Sequence, residues 1–414
     1  MRYLVAMLMV GIILSGCGED ETAVLVPDYD PDGRIASLPP LRAMTMQAME
    51  GVYAVDAGRQ RFGDEVVLKY AGGGLSIFSE RDAVYCLLNG GRQDSTLELA
   101  GYWRRQVGVE TGVLRLTIDG ERGGGILQRG QNPERGEVIL EGSFSSSAGQ
   151  GGRPVTLTFD RPLYRAERPF LIIAHRAGGR NADRLPAAEN SVELLRIAER
   201  FGANGVEIDV QLTKDGVPVI YHDEKLNQRL TQKSGLVGSV SDYTLAQLET
   251  LVRLRNGEKI PTLKRMLAAV LRQTDLRFVW LDSKESVPLA LLRDVQRAYV
   301  DSARLFGRDL TIVIGLPDVD KINELLALPD FASAQVLCEL DVDLVRRTHA
   351  EIWAPRWTLG TQTEAVTQMQ AEGRQVLVWT LDEAAYIEIF LRDGHFDGIL
   401  TNYPALLAYY YYSQ

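Results

Sequence analysis

From residue 169 onward, short apolar runs alternate with helical ones, and few folds accommodate that alternation. A chain that moves from strand to helix to strand in this way builds a parallel sheet covered by helices. Candidate strands are 171–174, 205–210, 217–221, 278–282, 311–315, 335–340, 351–354, 375–380 and 397–400, with helical segments near 191–202, 244–254, 262–273, 286–300, 363–372 and 382–393. Eight such strands close into a TIM (β/α)8 barrel, whose active sites lie at the C-terminal ends of the strands. Nine runs for eight places leave one over, and 351–354, one of the three four-residue runs, is set aside as a loop extension.

The residues able to do chemistry stand at those strand ends. Of four histidines, at 175, 222, 349 and 395, the first two each follow an apolar run directly. Between them, Val206-Glu-Ile-Asp-Val210 alternates, so Glu207 and Asp209 share one face of a strand. Two like charges facing a core are strongly unfavourable without a cation or protonation of one of them. Taken alone, a Glu-x-Asp pair reads as a solvated face and a single histidine as a hydrogen-bonded structural residue. With Arg176 beside the first histidine and Asp223 beside the second, the segment reads as an active site. His349 and His395 have no such company and read as surface residues.

The order His175-Arg176, Glu189-Asn190-Ser191, Glu207-x-Asp209, Thr213-x-Asp215-Gly216 and His222-Asp223 resembles the signature of the glycerophosphodiester phosphodiesterases. The likeness continues through Leu226, Arg229, Thr231, Thr244, Leu248, Leu251 and Ile260-Pro-Thr-Leu263. It closes with Val378-Trp-Thr380 and Asp397-Gly-Ile-Leu-Thr-Asn-Tyr-Pro404, covering roughly residues 168–410. Where the family usually has Leu-Glu-x-Lys, this chain has Leu281-Asp-Ser-Lys284, which shortens the third carboxylate by one methylene. The loop between His175 and Glu189 is a few residues longer than usual, and Ser191 replaces a common threonine.

The resemblance implies metal-assisted hydrolysis of glycerophosphodiesters to glycerol 3-phosphate and an alcohol. Glu207, Asp209 and Asp282 would hold one divalent cation, and carboxylate ligation without cysteine suits Ca2+ or Mg2+. His175 and His222 would act as general acid and base, since imidazole titrates near working pH. Which ring is which is not readable. Arg176 and Lys284 would bind the phosphate, Trp379 would wall the glycerol, and Glu189 and Asn190 would support the metal site or His175. A plainer role for Asn190 is to cap the helix that follows. Two alternatives stay open: a sphingomyelinase-D-like or lysophospholipase-D activity on lysolipids, and a non-catalytic envelope-binding lipoprotein.

The amino-terminal half reads differently. Residues 1–16 have a basic start, a short apolar core and small residues, as a secretory signal does. Leu14-Ser-Gly-Cys17 resembles a lipobox, making Cys17 a candidate for lipidation, and Gly18 favours an outer-membrane, periplasm-facing location. Residues 17–44 read as a flexible tether. Residues 45–164 carry about seven short alternating runs between glycine-rich turns, the pattern of a small all-β barrel or sandwich that needs no helix. Its role, whether docking module or holder of an unknown ligand or partner, is not written in its sequence. Residues 165–414 form the presumed catalytic part, and the expected fold class is therefore α/β with an all-β domain in front. A net charge of -10, from 55 acidic and 45 basic residues without a basic cluster, argues against nucleic acid as a partner. Cys86 and Cys338 read as two buried thiols.

Overall fold

A computed structural model describes residues 26–108, 110–146, 152–284 and 287–414; the expected signal segment and Cys17 lie outside the described residues. Strands β1 (Gly51–Ala57), β2 (Glu65–Ala71), β3 (Gly74–Phe78), β4 (Val84–Gln93), β5 (Thr96–Arg105), β6 (Thr111–Ile118), β7 (Ile139–Phe144) and β8 (Arg153–Arg161) form a closed antiparallel barrel. The barrel alternative therefore holds over the sandwich. Its interior is filled by one set of alternating side chains, among them Tyr53, Val66, Leu68, Ile77, Cys86, Leu99, Trp103, Leu116 and Phe159. Packing of this kind stabilises the barrel by roughly 25 cal/mol per Å² of apolar surface removed from water.

Two expectations for this barrel need correction. Strand β4 is absent from the seven runs because Asn89-Gly90-Gly91 imitates a turn, whereas here it pairs opposite Ala100, Leu99 and Glu98. Gly90 is required by close approach, since an added Cβ would lie 2.5 Å from Leu99 and 2.6 Å from Leu41. Helices also prove necessary: Ala43–Ala48 and Gly125–Gln128 deliver Ala48 and Leu127 into the barrel core. Of the stretch expected to be a tether, residues 26–44 lie along the barrel instead of hanging free. Arg34 pairs with Glu98 at 2.6 Å, Pro40 bridges Gly91, and Leu41 is buried.

The second half closes a parallel barrel from β9 (Leu171–Ala174), β10 (Gly205–Leu212), β12 (Phe278–Ser283), β13 (Thr311–Leu316), β14 (Val336–Cys338), β15 (Ile352–Trp353), β16 (Gln375–Val378) and β17 (Gly398–Thr401). Strand β15, set aside in the sequence reading, is a true member and pairs with both β14 and β16. Two residues are too few to show a period; Trp353 is fixed by burial and by its indole N–H, which donates to the Leu340 carbonyl at 2.8 Å. The ninth run, β11 (Pro218–Ile220), is the supernumerary one. It folds back antiparallel on β10 through a turn with Gly216 at φ 78°, outside the eight-stranded ring.

The outward side chains of the first barrel complete the fold. Val52, Val67, Phe78, Tyr85, Leu87 and Tyr102 belong to the same apolar cluster as Phe201 and Leu407 of the second barrel. The Tyr85 and Phe201 rings meet edge to face at 5.0 Å. Cys86 and Cys338 are buried free thiols.

Candidate active site

The pleat of β10 and its register build the acidic centre. Glu207 and Asp209, two residues apart, both point inward and are buried, and Asp209 is the direct cross-strand partner of Asp282. One oxygen from each of Glu207, Asp209 and Asp282 lies within 4.8 Å of the others. Burial, then the Asp209 and Asp282 charges, drives the Glu207 carboxyl well above its ordinary range. The main-chain N–H of Arg176 donates to Glu207 Oε2 at 2.8 Å, while Oε1 is buried without a hydrogen bond. Arg176 holds φ 52° to aim that N–H, a left-handed conformation costing on the order of 1 kcal/mol for a residue with a Cβ.

Lys284 lies directly against this cluster. Its ammonium is 2.7 Å from Asp209 Oδ1 and bonded to Asp282. Burial opposes the Lys284 charge, but the two aspartates raise its pKa above the ordinary value. Burial likewise opposes ionisation of Asp209, yet Lys284 and both histidines hold that carboxyl below its ordinary value. In this arrangement the Lys284 charge neutralises the carboxylates. One ammonium against three carboxylates, with an orphaned Glu207 oxygen among them, is a donor set that fits a hard divalent cation.

Each histidine is held through Nδ1. Asn402 Oδ1 lies 2.8 Å from His175 Nδ1, and Asn402 Nδ2 donates to Asp382 at 2.7 Å. The aspartate fixes the amide with its oxygen toward the ring, so His175 carries its proton on Nδ1 and presents a lone pair on Nε2. That Nε2 stands 3.7 Å from Glu207. Burial first, then the Arg176 charge, lowers the His175 pKa to about 4. His222 Nδ1 donates to Asp223 at 2.5 Å, and its Nε2 accepts from Arg176 at 2.8 Å. Burial opposes the Asp223 charge, but hydrogen bonds from Arg229, His222 and Asn227 hold its pKa at about 2.

Of the two residues expected to support the site, Asn190 reaches the acidic cluster, whereas Glu189 is held by two arginines. Glu189 does not reach His175; it accepts from Arg176 at 2.8 Å and from Arg229 at 3.1 Å. Asn190 donates to Asp209 at 2.8 Å, and the helix cap is Ser191, which accepts from Leu194 N–H. His349 and His395 are exposed. Arg229 and Asn402 lie in the segments that carry the family likeness, but Asp382, Glu339 and Arg356 had no separate signal.

A cavity of about 310 Å³ opens over this centre, lined by His175, Glu207, Asp282, Lys284, Glu339, Arg356, Trp280 and Trp379. The two tryptophans meet edge to face at 6.5 Å, and the Arg356 guanidinium sits 4.9 Å over Trp379. Burial, then the Asp282 charge, pushes the Glu339 carboxyl up to about 8. A larger cleft of about 1200 Å³ lies between the barrels. Its Glu50 is already paired with Lys69 and Arg165, and it contains neither histidine, so size does not mark the reactive site.

The sequence profile of the Glycerophosphoryl diester phosphodiesterase family matches residues 175–406. A glycerophosphodiester phosphodiesterase of Caldanaerobacter subterraneus subsp. tengcongensis is 25% identical over 248 residues, 57% of this chain and 96% of that protein. Glycerophosphodiester phosphodiesterase 1 of Bos taurus is 27% identical over 267 residues, 54% of this chain and 76% of that protein. Among solved structures, a phosphodiesterase of Oleispira antarctica in complex with the product sn-glycerol-3-phosphate covers 57% of this chain and 94% of its own, at 23% identity and a TM-score of 0.44.

Proposed function

The chain belongs to the glycerophosphoryl diester phosphodiesterase family and is a glycerophosphodiester phosphodiesterase, and from its geometry we propose a two-histidine, divalent-cation-dependent hydrolysis that yields glycerol 3-phosphate and an alcohol. The observation that carries this reading is the convergence of Glu207, Asp209 and Asp282 with His175 at one end of the barrel, where Glu207 keeps an unpartnered buried oxygen.

Glu207, Asp209 and Asp282 would hold the cation, which when bound supplies positive charge against the phosphate as negative charge develops. Asn190 keeps Asp209 oriented for that role. His175 takes the role of base on geometry: Asn402 and Asp382 fix its tautomer, which leaves the Nε2 lone pair facing the acidic centre. It takes a proton from the nucleophile, water or a hydroxyl of the substrate's own glycerol. His222 takes up a solvent proton on Nε2 once Arg176 leaves that lone pair for phosphate, the Asp223 carboxylate stabilises the resulting imidazolium, and the ring delivers that proton to the leaving alkoxide. A phosphate oxygen takes the Arg176 donor that His222 Nε2 now occupies, binding the substrate and freeing the ring in one exchange. Trp280 and Trp379 wall the glycerol.

The proposal extends to the cell: Cys17 anchors the protein by lipid in a bacterial envelope, facing the periplasm. The enzymatic part is tested by incubating residues 18–414 with glycerophosphocholine, with Ca2+ or Mg2+ or after chelation. Metal-dependent release of glycerol 3-phosphate is expected. Equal release by the verified metal-free protein would overturn the cation's role, and intact glycerophosphodiesters throughout would overturn the substrate class.

A further inference from the structure

We infer that the amino-terminal barrel positions the catalytic histidines, and that Arg104 of β5 is the residue through which it does so. Arg104 is 1% exposed and sits on the face of the first barrel that meets the second. Its guanidinium donates to main-chain carbonyls, those of Gly108 at 3.0 Å and Asp183 at 3.0 Å, with a long contact to Arg105 at 3.4 Å; Nη1 is buried without a partner. Burying a cation on neutral acceptors is costly, so an apolar side chain would pack this interface at lower cost. What the arginine adds is a fixed point on the loop between His175 and Glu189.

That loop reaches the supports of both histidines. Asp183, 4% exposed, accepts from Arg180 at 3.0 Å and from the Tyr403 hydroxyl at 3.1 Å. Arg180 stands 3.8 Å from Asp382, the carboxylate that orients Asn402 on His175. On the other side, Asn181 donates its main-chain N–H to Glu189 at 2.7 Å and its amide to the Arg229 carbonyl at 3.0 Å. Glu189 and Arg229 hold the Arg176 and Asp223 that flank His222. Arg104 is thus a positioning residue: its bond to Asp183 sets the loop, and the loop sets two supporting networks.

The inference rests on the proposed roles of His175 and His222, and its test separates the two claims. Arg104→Met and Arg104→Lys would be compared with wild type in residues 18–414 for kcat, KM, thermal midpoint and hydrogen exchange of the 178–190 amides. Arg104→Met is expected to lower kcat about tenfold with KM within about twofold. Exchange should rise in 178–190 while β1 and β2 stay protected, and Arg104→Lys should recover part of both effects. Unchanged loop exchange, or faster loop exchange at wild-type kcat, would overturn the inference. So would exchange rising across the whole first barrel with activity lost only in proportion to folded protein. If Arg104→Met does not fold, Arg180→Gln, whose side chain is partly exposed, must reproduce the kcat loss at constant KM. If wild type turns over no glycerophosphodiester, the proposed function falls, and the exchange arm still decides whether Arg104 sets the loop.

Discussion

Asn402 accepts a hydrogen bond from His175 Nδ1 at 2.8 Å across 227 residues of chain, and Asp382 allows the amide only that orientation. The tautomer of a catalytic ring is thereby set from the last strand of the barrel. Asn402→Leu should leave folding intact and lower kcat by about 10²-fold, the scale of a misdirected general base. Steady-state kinetics beside the thermal midpoint would check it, and near-normal kcat would show the amide to be incidental.

The depressed His175 pKa predicts the shape of the pH profile. The ring stays an acceptor above about pH 4 and loses that capacity as pH falls through that value. The acid limb of kcat/KM, measured with saturating cation, should therefore lie well below the 6.5 of an ordinary imidazole. A limb at 6.5 would remove His175 from the role of base.

His175→Ala and His222→Ala should each cost about 10²–10⁴-fold in turnover while the far-ultraviolet spectrum stays that of wild type. Near-normal rates in both variants would take the imidazoles out of the mechanism.

Cation binding should also show in stability. Adding Ca2+ or Mg2+ at about 100 times its dissociation constant is expected to stabilise the fold by about 2.7 kcal/mol, because the ion binds only the folded cluster, where burial and then like charge disfavour the Glu207 carboxylate. Glu207→Gln should abolish the rise in a calorimetric scan. A rise that survives would place the ion elsewhere.

Without cation, Glu339 gives stability a pH slope of known sign. Its folded pKa, about 8, lies above the ordinary 4.5, so between those values the folded state binds more protons than the unfolded one. Stability then falls as pH rises across that window. Urea titrations at pH 5 and pH 8.5 in chelator should show the loss, and Glu339→Gln should diminish it; an unchanged slope would assign it to other groups.

How far the site could be read from the chain depends on what each residue needs from its neighbours. Glu207 and Asp209 were legible because a strand's period of two is local. Asp282 joins them through the β10–β12 register, which its motif implies but does not show. The Asp382–Asn402–His175 relay and the Arg104 contact with Asp183 couple distant segments, so no local pattern announces them. The pairing of Lys284 with Asp209 and Asp282 was not legible, because sequence does not say which anions an ammonium will meet. Strand β15 failed for the opposite reason: two residues are fixed by their neighbours alone.

The apolar cluster joining the barrels has a consequence for how such a protein can be varied. Val67, Tyr85 and Tyr102 on one side and Phe201 and Leu407 on the other share one interior. The halves that sequence separates near residue 165 are thus not interchangeable parts. A catalytic barrel moved to another partner would carry a bare apolar face, and a new front domain would need to match its shape before it could replace what the old one held.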